Sequence, residues 1–174
     1  MTVTESAHRP LTAHDPRLAP WRAFLEAHAR VSRRLDEELR AEHDLSLAEY
    51  DALLSIAQTP GRRIRMRQLS DRVILSKSGV TRLIDRLVAD GLVQRSACLA
   101  DARGAEAVLT DQGLARLRAA SRTHLRGITE HFIEPLDGTD VGALEAAMRA
   151  ISVSAGPGSH GVCGPDETGS VDPR

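Results

Sequence analysis

Aromatic side chains make up only 2% of this 174-residue chain, as one Trp, one Tyr and two Phe. Leu, Val, Ile and Ala must therefore fill its core. Cysteine is scarce too: Cys98 and Cys163 do not make a disulfide framework. No apolar run approaches the ~20 residues of a membrane-spanning helix. The opening MTVTESAHRP lacks the basic-then-apolar order of a signal peptide. These absences predict a cytoplasmic protein with no membrane partner. Catalytic signatures are missing as well: there is no G-x-S-x-G elbow, Walker loop, Rossmann glycine pattern or zinc-deaminase signature. No enzyme and no cofactor is expected. The seven histidines include no i, i+4 ligand pair. His124 and His131 could stack on one helix face, and satisfied core or interface histidines are expected rather than a metal site.

What is present is a globular composition, 41% hydrophobic and 27% charged, fitting one domain with or without dimerising extensions. The net charge of -1 hides a segregation. Residues 1–61 hold 7 basic and 10 acidic side chains, residues 62–103 hold 10 and 4, and residues 104–174 hold 6 and 10. A basic middle on an acidic body is the footprint of a phosphate-binding face.

Periodicity divides the chain. Residues 1–19 read as an irregular arm. Pro20 opens a long helix with Trp21, Phe24, Leu25, His28, Val31, Leu35 and Leu39 on its apolar stripe. Ser46 and Glu49 form a capping box for a second helix that turns Leu47, Tyr50, Leu53, Leu54 and Ala57 inward and stops near Pro60-Gly61. Two shorter helices follow, the first burying Met66, Leu69, Val73 and Ile74. The second, capped by Ser76, buries Val80, Leu83, Ile84, Leu87 and Val88, and Gly91 ends it. Leu92 to Cys98 and Ala105 to Leu109 read as a hairpin joined by the turn-like LADARG. Thr110 caps a third long helix with Leu114, Leu117, Leu125, Ile128 and Phe132 on its stripe. Pro135 to Gly138 break it, and Asp140 begins a last helix with Val141, Leu144, Met148 and Ile151. The Gly-, Ser- and Pro-rich tail, 154–174, is expected to be disordered.

Helix, short helix, short helix, hairpin is the order of a winged helix-turn-helix, with a winged core over about 46–112 inside a domain of 20–153. The fold class is therefore α+β, mostly α. With its inner face fixed, the second short helix presents Lys77, Ser78, Thr81, Arg82, Asp85 and Arg86. Arg and Lys donate to guanine, Ser and Thr reach bases or phosphates, and a helix amino end favours phosphate. Asp85 is expected to orient Arg82 or Arg86. The stripes of the first and last helices lie outside the winged core and need another surface. A homodimer supplies it, through Trp21, Leu25, Leu125, Ile128, Phe132, Leu144 and Met148, and matches a two-fold palindrome in DNA.

The run MRQLSDRVILSKSGVTRLIDRLVADGLVQR followed by DARGAEAVLTDQG resembles the MarR family of bacterial transcription regulators. The matching positions are Ser76, Ser78, Thr81, Arg82 and Leu83; Gly91, Leu92, Val93 and Arg95; Asp101 and Arg103; and Leu109, Thr110 and Gly113. The likeness spans about 20–151. It implies a homodimeric regulator, a repressor released by a small phenolic or aromatic effector, whose paired wings meet a palindromic operator. It implies Ser76, Lys77, Ser78, Thr81, Arg82 and Arg86 in the major groove. At the wing, beside Arg95, it implies Arg103 in the minor groove with Asp101 holding its guanidinium; a narrow A·T groove attracts such a cation. His28, His43 and Tyr50 are the candidates for an effector cleft. The SACLA stretch, 96–100, is less polar than expected and predicts a weakly gripping wing. Cys98, beside basic residues, is read as an incidental small hydrophobe rather than a redox sensor. The competing function is a winged protein-interaction module without specific DNA binding.

Overall fold

The computed structural model describes residues 10–73, 77–98 and 101–154, with the side chains of 77, 97, 98 and 101–104 excepted. The expected tail therefore lies outside the described residues, as do Ile74 and Ser76. A 3-10 turn at Pro16–Leu18, capped by Asp15, leads into α1 (Ala19–His43). The helix ends where Asp44 takes a left-handed φ of 51°, a conformation tolerated by its short polar side chain. Only Leu35 and Leu39 of the expected α1 stripe are buried; Trp21, Phe24 and Leu25 stay exposed. The amino-terminal half of α1 thus projects beyond the core of its own chain.

Ser46 and Glu49 form the capping box foreseen for α2 (Leu47–Ala57), with Glu49 N–H donating to Ser46 Oγ at 3.2 Å and Ser46 N–H to Glu49 Oε2 at 2.8 Å. Asp36 of α1 accepts from the Leu47 N–H at 2.8 Å, which docks the arm on the start of α2. Gly61, at φ 68°, and Arg62, at φ 51°, turn the chain into β1 (Arg63–Arg65), a strand not read from the sequence. It is three residues long, with Ile64 alone buried, too short to show an alternation. Then come α3 (Met66–Arg72) and α4 (Lys77–Ala89), the latter ended by Gly91 at φ 71°.

The expected hairpin is present as β2 (Val93–Cys98) and β3 (Asp101–Leu109), and β1 joins it to give an antiparallel sheet in the order β1-β3-β2. β3 starts at Asp101, so Asp101 to Arg103 belong to the strand rather than to a turn. The register pairs Ala97 with Ala105 and Cys98 with Asp101. Between these rungs β3 carries Ala102, Arg103 and Gly104 where β2 carries nothing, a bulge that bends the wing.

Thr110 caps α5 (Asp111–Ile128) by accepting from Gly113 N–H at 2.9 Å. α5 packs along α1 and continues as a π-helical turn, Thr129–Ile133, and a 3-10 turn, Glu134–Leu136. Asp140 accepts from Ala143 N–H and starts α6 (Val141–Ser154), one residue longer than expected. One core runs through the winged unit, joining Leu39, Leu53, Ile56, Ile64, Leu69, Val80, Ile84 and Leu87. Together these elements make the winged helix-turn-helix that the order of the sequence predicted.

Candidate nucleic-acid interface

The apolar residues of α4 recur at Val80, Leu83, Ile84 and Leu87, and all four are buried. That spacing turns one side of the helix inward and leaves Ser78, Thr81, Arg82, Asp85 and Arg86 exposed. Val88, expected inside, is on the outer side, because it falls one position beyond the buried stripe. Arg82 has no ion-pair partner among the described residues.

The neighbouring charges are arranged differently from the sequence expectation. Arg86 reaches back to α2, placing its guanidinium 3.2 Å from Glu49 Oε1. Glu49 is only 8% exposed and already holds the Ser46 cap, so a buried carboxylate gains a cation from α4. Asp85 orients neither Arg82 nor Arg86. Its carboxylate pairs with Arg95 of β2 at 2.8 Å, because Arg95 lies on the helix-facing side of the sheet, across from Ala107. This pair straps the wing to α4.

Between α1, the start of α2 and α4 lies a cleft of about 510 Å³ lined by Asp36, Arg40, Ser46, Ala48, Gly79, Arg82, Leu83 and Arg86. It places cations over a small apolar floor. Asp36 pairs with Arg40 at 2.7 Å. Burial alone would raise the Asp36 carboxyl, but Arg40 and the Leu47 N–H hold it below its ordinary value. The expected cleft residues are not brought together. His28 lines an apolar groove of about 610 Å³ with Phe24, Val31, Phe132, Leu144 and Met148. His43 bonds Thr123 Oγ1 at 2.8 Å, and Thr123 donates to Glu42 at 2.8 Å. Tyr50 is buried in the core, its ring 4.4 Å from that of His124 and its hydroxyl donating to Ser121 at 3.3 Å. Sequence spacing gave no depth for these three side chains.

His124 therefore lies on Tyr50 and does not stack with His131. Burial pushes its pKa down, and its Nδ1 is buried without a hydrogen-bond partner among the described residues. His131 instead meets Glu38 of α1 at 2.5 Å. Glu38, Glu130 and His131 bring donor atoms within 4.8 Å of one another, the one group among the described residues with the spacing to hold an ion. A search for ligand pairs along one helix misses it, because Glu38 comes from a different helix. The side chains of Lys77, Asp101, Arg103 and Cys98 lie outside the described set, so the expected Asp101–Arg103 pair does too.

Of the expected interface residues, Trp21, Leu25, Leu125, Phe132 and Met148 are exposed on the single chain, while Ile128 and Leu144 are half-buried. Among the described residues no helix is long and apolar enough to cross a membrane.

An exposed polar helix face, its back sealed into a helical core beside a three-stranded wing, defines a winged helix-turn-helix protein. A family model described as MarR family matches residues 43–104. AbsC, a MarR family transcriptional regulator from Streptomyces coelicolor, is 31% identical, covering 85% of this chain and 98% of its own, with a TM-score of 0.75. Sco3205 from the same organism, solved in complex with DNA, is 28% identical over 89% of this chain and 96% of its own, with a TM-score of 0.76. A MarR family regulator from Silicibacter pomeroyi is 31% identical over 79% and 94%, with a TM-score of 0.64. No curated protein matches the sequence. The chain belongs to the MarR family of transcriptional regulators.

Proposed function

We propose that the protein is a sequence-specific DNA-binding repressor that acts as a homodimer on a palindromic operator and is released by a small-molecule effector. The observation that carries this reading is the exposed face of α4. Ser78, Thr81 and Arg82 stand outward while Val80, Leu83, Ile84 and Leu87 fix the helix behind them. Support comes from the likeness to Sco3205, which was solved with DNA. In this reading Ser76, Lys77, Ser78, Thr81 and Arg82 meet the major groove, and Arg103, set in the β3 bulge, enters the minor groove with Asp101 beside it. Arg86 and Arg95 act one step back: they hold α4 to α2 and the wing to α4. The exposed apolar faces of α1, α5 and α6 form the dimer interface, the apolar groove receiving the partner's helices.

The effector takes the cleft between the arm and α4. Its cations suit a phenolate or an aromatic carboxylate, and Ala48 and Leu83 suit the ring. Occupancy would engage Arg82, so ligand and DNA would compete for one side chain.

The test is Arg82→Ala and Arg103→Ala, each measured on operator DNA and by light scattering. Each variant is expected to remain a dimer and to lose about 1–3 kcal/mol of operator discrimination. Parent-like binding by both would overturn the docking. Binding of a protein partner without DNA discrimination would favour the interaction-module reading.

A further inference from the structure

Far from the wing, α1 and the end of α5 come unusually close. Gly127 lies in the last turn of α5, and a Cβ built there would fall 2.6 Å from Glu38 Oε2 and 2.7 Å from Leu35 Cδ2. The missing side chain lets the Glu38 carboxylate of α1 reach in against α5. Directly beyond Gly127 the helix widens into the π turn Thr129–Ile133, a rare i→i+5 arrangement found frequently at functional positions. That turn carries Glu130 and His131. His131 Nε2 lies 2.5 Å from Glu38 Oε1, and Glu130 adds a carboxylate oxygen, so that donor atoms of all three residues lie within 4.8 Å of one another.

The charges in this group do not balance. Two carboxylates share one imidazole, and neither pairs with a lysine or arginine among the described residues. The nearby arginines are taken elsewhere: Arg34 reaches Glu37, and Arg126 reaches Glu42. Carboxylates crowded in this way are stabilised by an added cation. An independent observation points the same way. Glu38 Oε2 is buried and has no hydrogen-bond partner among the described residues. A carboxylate oxygen cut off from water costs free energy unless a donor or a cation takes its lone pairs, and an ion is one of the few explanations for such an orphan. The group is also reachable. The Glu38 and His131 side chains are 25% and 19% exposed and Glu130 is exposed, so one side is walled by protein and the other opens to solvent.

We infer that Glu38, Glu130 and His131 form a binding site for a divalent transition-metal ion of the zinc class. The imidazole nitrogen selects this class over magnesium and calcium, which take oxygen ligands. Three protein donors leave the fourth position of a tetrahedral ion to water. The ion replaces the hydrogen bond between His131 and Glu38 and pins α1 to the end of α5. These are two of the elements whose apolar faces the winged core leaves uncovered. A search for ligands along the sequence passes over the site, because Glu38 and His131 stand 93 residues apart. The inference does not depend on the DNA-binding reading.

The test is a calorimetric titration of the untagged full chain, stripped by chelator, with zinc alone, followed by thermal unfolding. One zinc ion per chain is expected. At 100-fold excess over its Kd the ion should raise the thermal midpoint by about 5–10 °C, and magnesium at the same concentration should leave it unchanged. Residues that merely support metal ligands cost about 10–100-fold in affinity when changed, so Glu38→Gln, Glu130→Gln and His131→Gln should each weaken zinc at least about 10-fold. Glu130→Gln is the decisive variant, because Glu130 is exposed and takes no part in the His131–Glu38 hydrogen bond. A double variant, His160→Gln with Cys163→Ser, removes donors of the tail and should bind like the parent. Circular dichroism checks that each variant is folded, and Glu130→Gln decides alone if Glu38→Gln is not.

No zinc binding by the parent would overturn the site. So would binding that survives all three substitutions, or that disappears only in the tail variant, since the ion would then sit elsewhere. An equal rise in midpoint with magnesium would overturn it as general screening of acidic charge. Parent-like affinity in Glu130→Gln would overturn the three-ligand site and reduce the group to a hydrogen-bonded pair.

Discussion

Gly113 shows what a family motif is for at the level of one side chain. A Cβ built there would lie 2.1 Å from the Leu92 carbonyl oxygen and 2.8 Å from Leu109 Cδ1. The first turn of α5 therefore rests directly on the chain entering the wing. Thr110 completes the joint, donating its hydroxyl to Gly91 O at 2.8 Å and its N–H to Leu92 O at 3.1 Å. The two pieces of motif that stand far apart in sequence, around Gly91-Leu92 and Thr110-Gly113, are one packed corner. Gly113→Ala should destabilise the fold by about 1–3 kcal/mol, because the obstacle is backbone and cannot swing away. Denaturant unfolding measures it, and a change below about 0.5 kcal/mol would mean that α5 shifts freely. The importance of these residues was legible in the sequence, but their contact was not, since spacing along a chain does not show where two loops meet.

His124 gives a second expectation at this scale. Burial lowers its folded-state pKa below the ordinary 6.5. Between the two values the unfolded chain binds more protons, so stability falls as pH drops through about 6.5 and levels off below the folded pKa. The fall in thermal midpoint between pH 7.5 and 5.5 should be larger in the parent than in His124→Phe. Subtracting the two isolates the part that depends on His124. An equal fall in both would show that His124 is not the group responsible.

At the scale of elements, periodicity located the long helices, but it gave their burial only where another element of the same chain packs on the stripe: in α1 only Leu35 and Leu39 are buried. The inner face of α4 needs only Val80, Leu83, Ile84 and Leu87 to fix it, and all are buried. The three residues of β1 left no such trace. The strap from α4 to the wing was also hidden, because Asp85 and Arg95 come together only once the sheet lies against the helix. Both partners are well exposed, so Asp85→Ala should cost less than about 1 kcal/mol of stability. The same change removes an acid from the exposed face of α4 and frees the Arg95 cation. Operator affinity should hold or rise, and the salt dependence should steepen. Anisotropy with the folded variant checks this, and a marked loss of affinity would show that the strap is needed to aim the wing.

For the whole molecule, the surplus apolar surface is the guide. Trp21 is 56% exposed, Leu125 61% and Ile151 60%, and with Phe132 they belong to the arm and the last helices rather than to the winged unit. Exposed apolar surface of this extent marks an interaction surface. Ile128 is half-buried in its own chain, so Leu125→Asp is the cleaner probe of a dimer. Light scattering should find a folded monomer at micromolar concentration, and an intact dimer would place Leu125 outside the interface. The surplus stripes were legible before the structure because the winged core had no room for them. The cleft between α1, α2 and α4 was not legible, because three separate elements make its walls, and His28, His43 and Tyr50 lie instead in the apolar groove, the Thr123 network and the core.

The proposed function requires α4 to read a specific DNA sequence. The most direct measurement is a fluorescence-anisotropy titration of the full chain on the DNA upstream of its own gene, beside a scrambled duplex of equal length. Saturation is expected at two chains per site, with operator binding about 1,000-fold or more tighter than scrambled at physiological salt. Equal, weak and steeply salt-dependent binding to this duplex, to its scramble and to every sequence in a randomised pool would contradict it.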